Sequence, residues 1–267
     1  MGILPRHKLI LLSSIMSLNT LCLANNYQEN SDSFLIFGAL SKNEYSGSKD
    51  HDVVPAIISE FSLFKRPVEI EGLTARASLY SNNAWHFGLA MQYDFGRDDE
   101  VSNKQVAAMQ TIDANINLGG YISHFSDSIL LNNDELELRV QTTADVSSAH
   151  EGYLTTFSST YTFPLFIPWR VELELESSYA DDNYMNTYYG VSAQDGQSSG
   201  LTPFQAKAGF TDITVNANII LFSSPQWGAY SRLSYARLLG DAADSPIIKD
   251  IGTANQTQFG LGLFYRF

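Results

Sequence analysis

The sequence predicts an all-β chain, a transmembrane antiparallel up-and-down β-barrel that follows an N-terminal signal peptide. Three observations carry this. Large apolar residues recur at every second position through most of the chain, which is the side-chain period of a strand with two different surroundings. Short links between these segments alternate with long polar ones, the asymmetry of a barrel with tight turns at one rim and large loops at the other. Beyond the first 24 residues no stretch approaches the 18 consecutive apolar residues of a helical span.

The N-terminus sets the compartment. "MGILPRHK" is a basic n-region with Arg6 and Lys8, "LILLSSIMSLNTLCLA" is an apolar core, and Ala24, preceded by Cys22, fits a small-x-small cleavage site. Cleavage is predicted after Ala24, making 1–24 the signal peptide and 25–267 the barrel. Ser13, Ser14, Ser17 and Asn19 make the apolar run a poor membrane anchor. Cleavage removes the chain's one cysteine, so disulfides and thiolate metal sites are excluded from the mature chain. It also removes two of the 16 Lys and Arg, leaving 14 against 29 Asp and Glu, a formal charge of −15. No nucleic-acid partner is expected of such a surface.

Each strand follows from its alternation. "AWHFGLAMQYDFG" sets Trp85, Phe87, Leu89, Met91, Tyr93 and Phe95 against His86, Gly88, Ala90, Gln92 and Asp94. "RVELELESSY" sets Val171, Leu173, Leu175 and Tyr179 against Arg170, Glu172, Glu174 and Glu176. "DITVNANIIL" separates Ile213, Val215, Ala217, Ile219 and Leu221 from Asp212, Thr214, Asn216 and Asn218. The last strand, "QTQFGLGLFYRF", sets Phe259, Leu261, Leu263, Tyr265 and Phe267 against Gly260, Gly262 and Arg266. With both termini periplasmic, downward strands fall near 110–124, 152–163, 206–222 and 256–267, and upward strands near 84–96, 134–143, 169–180 and 227–239. Residues 32–80 supply the rest. The apolar parity of "VEIEGLTARASLY" shifts across Gly72, which marks a bulge or a break. One long strand there gives ten in all, the favoured count; a hairpin around "FKRP" gives twelve. Closure satisfies the requirement that every backbone group in hydrocarbon be paired. Aromatic residues near strand ends (Trp85, Tyr93, Phe95, Tyr179, Trp227, Tyr235) suit interfacial girdles. A β-sandwich is the soluble alternative, but no continuous apolar core strand appears.

The short links are "SNN" (81–83), "FSDS" (125–128), "PLFIP" (164–168) and "SSPQ" (223–226). The long ones are "GRDDEVSNKQ", "TADVSSAHEG", "DDNYMNTYYGVSAQDGQSSGLTP" and "GDAADSPIIKDIGTAN". Words such as "SGL" and "ADSPI", with turn-fixing Pro and Gly, suggest folded loops that cap the barrel.

The stretches "YADDNYMNTYYGVSAQDGQSSGLTPFQAKAGFTDITV" and "YSRLSYARLLGDAADSPIIKDIGTANQTQFGLGLFYRF" resemble the MltA-interacting protein (MipA) / OmpV family. "NEYSGSKDHDVVPAI" is similar to that family's Tyr-x-Gly-Ser…Pro segment, and "YDFGRDDE" to its Gly-Arg-acidic turn. The resemblance covers about 45–267; the 60–80 stretch departs from it, lacking Gly-Asp-Gly character. It implies a porin-like barrel in the outer membrane of a Gram-negative bacterium, a scaffold rather than an enzyme. The named member is described as joining a lytic transglycosylase to a bifunctional penicillin-binding protein in peptidoglycan growth; others are discussed as adhesins, porin-like proteins or factors altering antibiotic susceptibility. The family-motif outer-loop residues are Gly96, Arg97, Tyr184, Tyr189, Gly190, Ser199, Gly200, Leu239, Gly240, Asp241, Ser245 and Pro246. Phe259, Leu261, Leu263, Tyr265 and Phe267 resemble the C-terminal signal read by the barrel assembly machinery.

No constellation demands catalysis or a cofactor. There is no Gly-x-Ser-x-Gly elbow and no His-Glu-x-x-His signature. Beyond the leader the histidines are His51, His86, His124 and His150; His150 or His51 with Asp181 or Asp182 is the one conceivable hydrolytic pair. Loop carboxylates Asp98, Asp99, Glu100, Asp181, Asp182, Asp241, Asp244 and Asp250 have the hard oxygens that bridge divalent cations to lipopolysaccharide, although no metal-site spacing occurs and solvation explains them as well. Arg237 breaks the lipid-face parity near an outer loop, where lipopolysaccharide phosphate lies within reach. Lumen-facing Glu135, Glu137, Arg139, Arg170, Glu172, Glu174, Glu176, Arg232 and Arg266 are expected to pair across a narrow interior, the alternative being a small cation-preferring channel.

Overall fold

The computed structural model describes residues 33–166 and 168–267. The predicted signal peptide and its cleavage point lie outside the described residues. Twelve antiparallel strands close into a barrel in sequence order, β12 (Asn255–Arg266) pairing with β1 (Phe34–Asn43). The others are β2 (His51–Leu63), β3 (Arg66–Glu71), β4 (Thr74–Ser81), β5 (Trp85–Asp94), β6 (Asn115–Asp127), β7 (Glu135–Asp145), β8 (Tyr153–Phe166), β9 (Trp169–Ala180), β10 (Gly209–Phe222) and β11 (Trp227–Leu238). Among the described residues no helix is long and apolar enough to cross a membrane; the crossing is made by strands.

Twelve strands, rather than the favoured ten, are reached because "FKRP" is a hairpin: Leu63 pairs with Arg66 around Phe64 and Lys65, both at positive φ. The parity shift at Gly72 is neither bulge nor simple break. It is a second hairpin turn, with Gly72 at φ 55°, between the short strands β3 and β4. Two links also move. The β6–β7 turn occupies 128–134 rather than 125–128, and β8 runs on to Phe166.

The alternation decides which side is which. Leu89, Leu173, Val215, Leu233 and Leu261 are exposed on the outer wall, as hydrocarbon contact requires. Trp85, Trp169 and Trp227 stand at the strand ends beside the short turns. That rim is the periplasmic one, because in such barrels the long loops are external. Tyr93, Tyr153 and Tyr235 stand near the opposite ends. Arg237 lies there too, its guanidinium donating to Asn255 Oδ1 (2.8 Å). His124 lies beside the β4–β5 turn, tilted against Trp85 with ring centroids 4.4 Å apart.

Candidate functional site

The lumen has three layers. The periplasmic third is filled by apolar side chains: Phe34 and Ile36 of β1, Ile220 of β10, Tyr230 of β11 and Phe264 of β12 are all buried together. Phe264 stacks on Phe34 (5.5 Å) and meets Phe222 edge-on (5.2 Å), while Arg266 lies over Phe222 at 5.7 Å. The glycines opposite leave room for this packing. At Gly262 a Cβ would already stand 3.0 Å from the Ile36 side chain.

Charged side chains cross the waist. Arg139 contacts Glu137 (2.7 Å) and Glu69 (3.0 Å); Arg76 contacts Glu71 (2.8 Å) and Glu69 (3.4 Å). Arg76 also donates to Gln141 Oε1 (2.7 Å), joining β4 to β7 through the interior. Asn216 and Asn218 of β10 donate to Glu174 and Glu172 of β9. Of the nine lumen charges expected to pair, Arg139 and Glu137 form an ion pair, along one strand; the pairing across the interior runs from Arg139 to Glu69, and three of the five ion-pair members, Glu69, Glu71 and Arg76, come from the β3–β4 hairpin that sequence reasoning left unassigned.

Above the waist lies a cavity of about 680 Å³, lined by Lys42, Asp52, Asp94, Arg97, Glu176 and Asp212 among others, with Tyr184, Tyr188 and Tyr189 as its roof. This is within the range of small-molecule sites.

The outer loops fold over it as a lid with its own core. Its helices are α1 (Lys104–Ala107), α2 (Asp182–Tyr189), α3 (Ala193–Ser199), α4 (Gly240–Asp244) and α5 (Pro246–Lys249). Met185, Tyr189, Val191, Leu201, Ile247 and Ile248 are buried against one another. Four of these five helix starts carry a side-chain cap: Asn103 accepts from Gln105 and Val106 N–H, Asp181 from Tyr184 N–H, Ser192 and Asp195 form a reciprocal capping box, and Ser245 Oγ accepts from Ile247 N–H; α4, which starts after Leu239, has none.

The family-motif residues fall almost wholly in this lid. Gly96 adopts φ 70°, where a Cβ would stand 1.9 Å from the Ile112 carbonyl. Arg97 makes a two-bond backbone bridge to Ile112 and is buried. Tyr189 donates or accepts at Ser46 Oγ (3.0 Å), and its carbonyl accepts from Ser245 Oγ (2.6 Å). Gly190 ends α2, and Gly200 ends α3 in the left-handed region (φ 78°) next to Ser199. Leu239 and Gly240 open α4, Asp241 accepts from Lys207 N–H, and Pro246 opens α5. Burial raises the Tyr184, Tyr188 and Tyr189 hydroxyls well above the ordinary tyrosine value, so they remain neutral hydrogen-bonding groups.

The conceivable hydrolytic pair is not assembled. His150 is buried, its Nε2 at 2.9 Å from Asn117 Oδ1 and its Nδ1 accepting from Gly152 N–H, so both ring nitrogens are committed. Burial lowers its pKa. Asp181 accepts from Tyr153 and Tyr184 N–H groups, and Asp182 from Ala208 N–H. His51 points to the Thr257 carbonyl at 3.2 Å. Asp98 and Asp241 likewise accept backbone N–H groups, Asp244 faces Lys249 at 3.6 Å, and among the described residues no three metal-ligating side chains cluster.

A closed barrel with an apolar outer band, a plugged polar interior and a folded external lid defines an outer-membrane β-barrel protein. The chain belongs to the MltA-interacting protein MipA family, whose model matches residues 35–267. Comparison with curated proteins finds no match. Among solved structures it is similar to the COG4313 outer membrane channel from Pseudomonas putida F1, at 10% identity over 94% of this chain and 100% of that one (TM-score 0.42). It is also similar to OmpT, an outer membrane protein of Vibrio cholerae (7% identity, 89% and 97% covered, TM-score 0.38). A third is the KdgM porin (12% identity, 89% and 99% covered, TM-score 0.35).

Proposed function

We propose that this chain is a non-catalytic interaction protein of the outer membrane, holding a lytic transglycosylase and a penicillin-binding protein together at its periplasmic face. The observation that carries this reading is the β6–β7 turn. Asp134 accepts from the N–H groups of Ile129, Leu130 and Leu131 at 2.6 to 2.8 Å, and from the Tyr161 hydroxyl. The turn is thereby held in one shape while Leu130 stands 76% exposed beside exposed Ile129 and Leu131. A rigid display of adjacent apolar side chains loses little entropy on binding. The family description, an interaction with MltA, supports the same reading. The blocked lumen argues against free diffusion as the main role.

The test is capture from envelope extracts, with bound penicillin-binding protein detected by labelled penicillin and transglycosylase by peptidoglycan cleavage. Leu130→Asp/Leu131→Asp should abolish capture while the barrel still assembles. Undiminished capture by that variant would overturn the reading, and so would capture of neither enzyme by the parent chain. A second reading, a narrow channel for small polar or cationic solutes, draws on the outer cavity and its excess of carboxylates.

A further inference from the structure

The barrel wall is incomplete above the β3–β4 hairpin. β2 pairs with β1 along its whole outer half, but with β3 only from Ile58 inward. On the far side β4 meets β5 only as far as Gln92. Two hydrogen bonds tie off the hairpin tip: Gly72 N–H to the Ile57 carbonyl (2.8 Å) and Tyr93 N–H to the Leu73 carbonyl (3.0 Å). Among the described residues, therefore, no strand lies beside one edge of residues 51–56 of β2. At roughly 3.3 Å per residue this edge is about 20 Å long.

The sequence is adapted to that edge. In an antiparallel strand residues two apart aim their backbone groups the same way. Since the Ile57 carbonyl faces the hairpin, Pro55 and Val53 face the gap. Proline has no N–H to leave unpaired, the usual reason for its presence on an edge. Val53 is 74% exposed. The gap is closed above by the first two outer loops, where Glu44 accepts from Ser102 N–H (2.9 Å) and Oγ (2.5 Å). What remains is a framed notch in the half of the wall nearer the outer rim, beside the Tyr93–Phe95 aromatic pair.

Behind the notch is the outer cavity. Asp52 of β2, Thr74 of the hairpin, and Gln92 and Asp94 of β5 all line it. Both signs of charge meet there: Lys42 interacts with Asp94 and Asp52, and Arg97 lines the same space. Arg97 is only 7% exposed, and its Nε has no hydrogen-bond partner among the described residues. Leaving such a donor unmet is costly. A purely cationic guest would leave it unmet, and a purely anionic one would face Asp52 and Asp94.

We infer that the notch is a lateral entrance from the membrane, through which the head of a zwitterionic single-chain amphiphile enters the outer cavity. Its anionic group is held by Arg97 and Lys42, its ammonium by Asp52 and Asp94, and its chain stays in the bilayer past Val53 and Pro55. This goes beyond the periplasmic interaction role and uses none of its residues.

The route is tested with single cysteines in a Cys22→Ser background, labelled with bimane and reconstituted into vesicles containing a nitroxide-labelled phospholipid. Asp52→Cys should be quenched at least threefold more strongly than Ser158→Cys, which lines the same cavity from β8. Equal quenching would overturn the lateral route; if Asp52→Cys does not assemble, Gln92→Cys takes its place. The guest is tested by titrating the parent protein in vesicles with dodecylphosphocholine, dodecyltrimethylammonium and dodecyl sulfate. One saturable site at least tenfold tighter for the zwitterion is expected. Equal or tighter binding of either singly charged amphiphile would overturn the headgroup assignment.

Discussion

Replacing Arg139 by methionine tests the charged waist. The Arg139 side chain is 4% exposed and sits between Glu137, 1% exposed, and Glu69, 17% exposed, at 2.7 and 3.0 Å. Methionine keeps most of the volume but strands the Glu137 carboxylate, whose second oxygen already lacks a partner among the described residues. Glu69 retains Arg76 at 3.4 Å. Breaking a buried pair from one side costs about 3–5 kcal/mol, because the remaining charge is uncompensated. Replacing both partners costs much less, so Arg139→Met/Glu137→Gln should recover at least about 1 kcal/mol relative to Arg139→Met. The assay is urea unfolding in vesicles, read by tryptophan fluorescence and by the mobility of the unheated band on a gel. A loss under about 1 kcal/mol for Arg139→Met, or no recovery in the double variant, would refute the reasoning.

Three further predictions concern the lid, a turn and the C-terminus. Gly96→Ala forces a Cβ to 1.9 Å from the Ile112 carbonyl at φ 70° and should cost about 2 kcal/mol or more. Limited proteolysis should then cut within 98–112 while the barrel stays intact. The Asp134 carboxyl is held down to about 2, its cause being hydrogen bonds from Tyr161 and three backbone N–H groups outweighing desolvation. A depressed carboxyl stabilises fully above its unfolded value, about 3.9, and loses that contribution as pH falls toward 2. Protease sensitivity at 128–134 should therefore rise between pH 4 and pH 2 in the parent, and be high and pH-independent in Asp134→Asn. Deleting Phe267 should impair insertion by the assembly machinery more than stability; normal outer-membrane insertion of that variant would contradict the assembly role assigned to the last strand.

Much of the barrel was legible because its walls separate lipid from a polar interior, so parity alone assigns faces. Phe87, Leu89 and Met91, Leu173 and Leu175, and Phe259, Leu261 and Leu263 are all exposed on the outer wall, as the alternation predicts. The β3–β4 hairpin was not legible. Its strands have six and eight residues, too few for a strong period, and the β2–β3 turn that leads into it uses Phe64 and Lys65 at positive φ rather than the Asn-Gly or Gly pair that marks hairpins. The waist partners Glu69, Glu71 and Arg76 were hidden with it. Among the lid residues, polar composition suggested folded loops but not helices. The signals were present in Asp181, Ser192 with Asp195, and Ser245 before Pro246, yet helices of four to eight residues carry too little periodicity to stand out. Which loop tyrosines roof the cavity depends on contacts between loops far apart in sequence, such as Ser46 with Tyr189, and no local pattern encodes those.

Phe34, Ile36, Ile220, Tyr230 and Phe264 fill the lumen beneath the charged waist, and the proposed binding role requires that this packing block conduction. Single-channel recording of the purified protein in planar bilayers tests it most directly. No conductance steps are expected from the parent protein, and steps only after Phe264→Ala and Ile36→Ala are combined with Arg139→Met. Reproducible, cation-selective steps from the parent would contradict it and establish the channel instead.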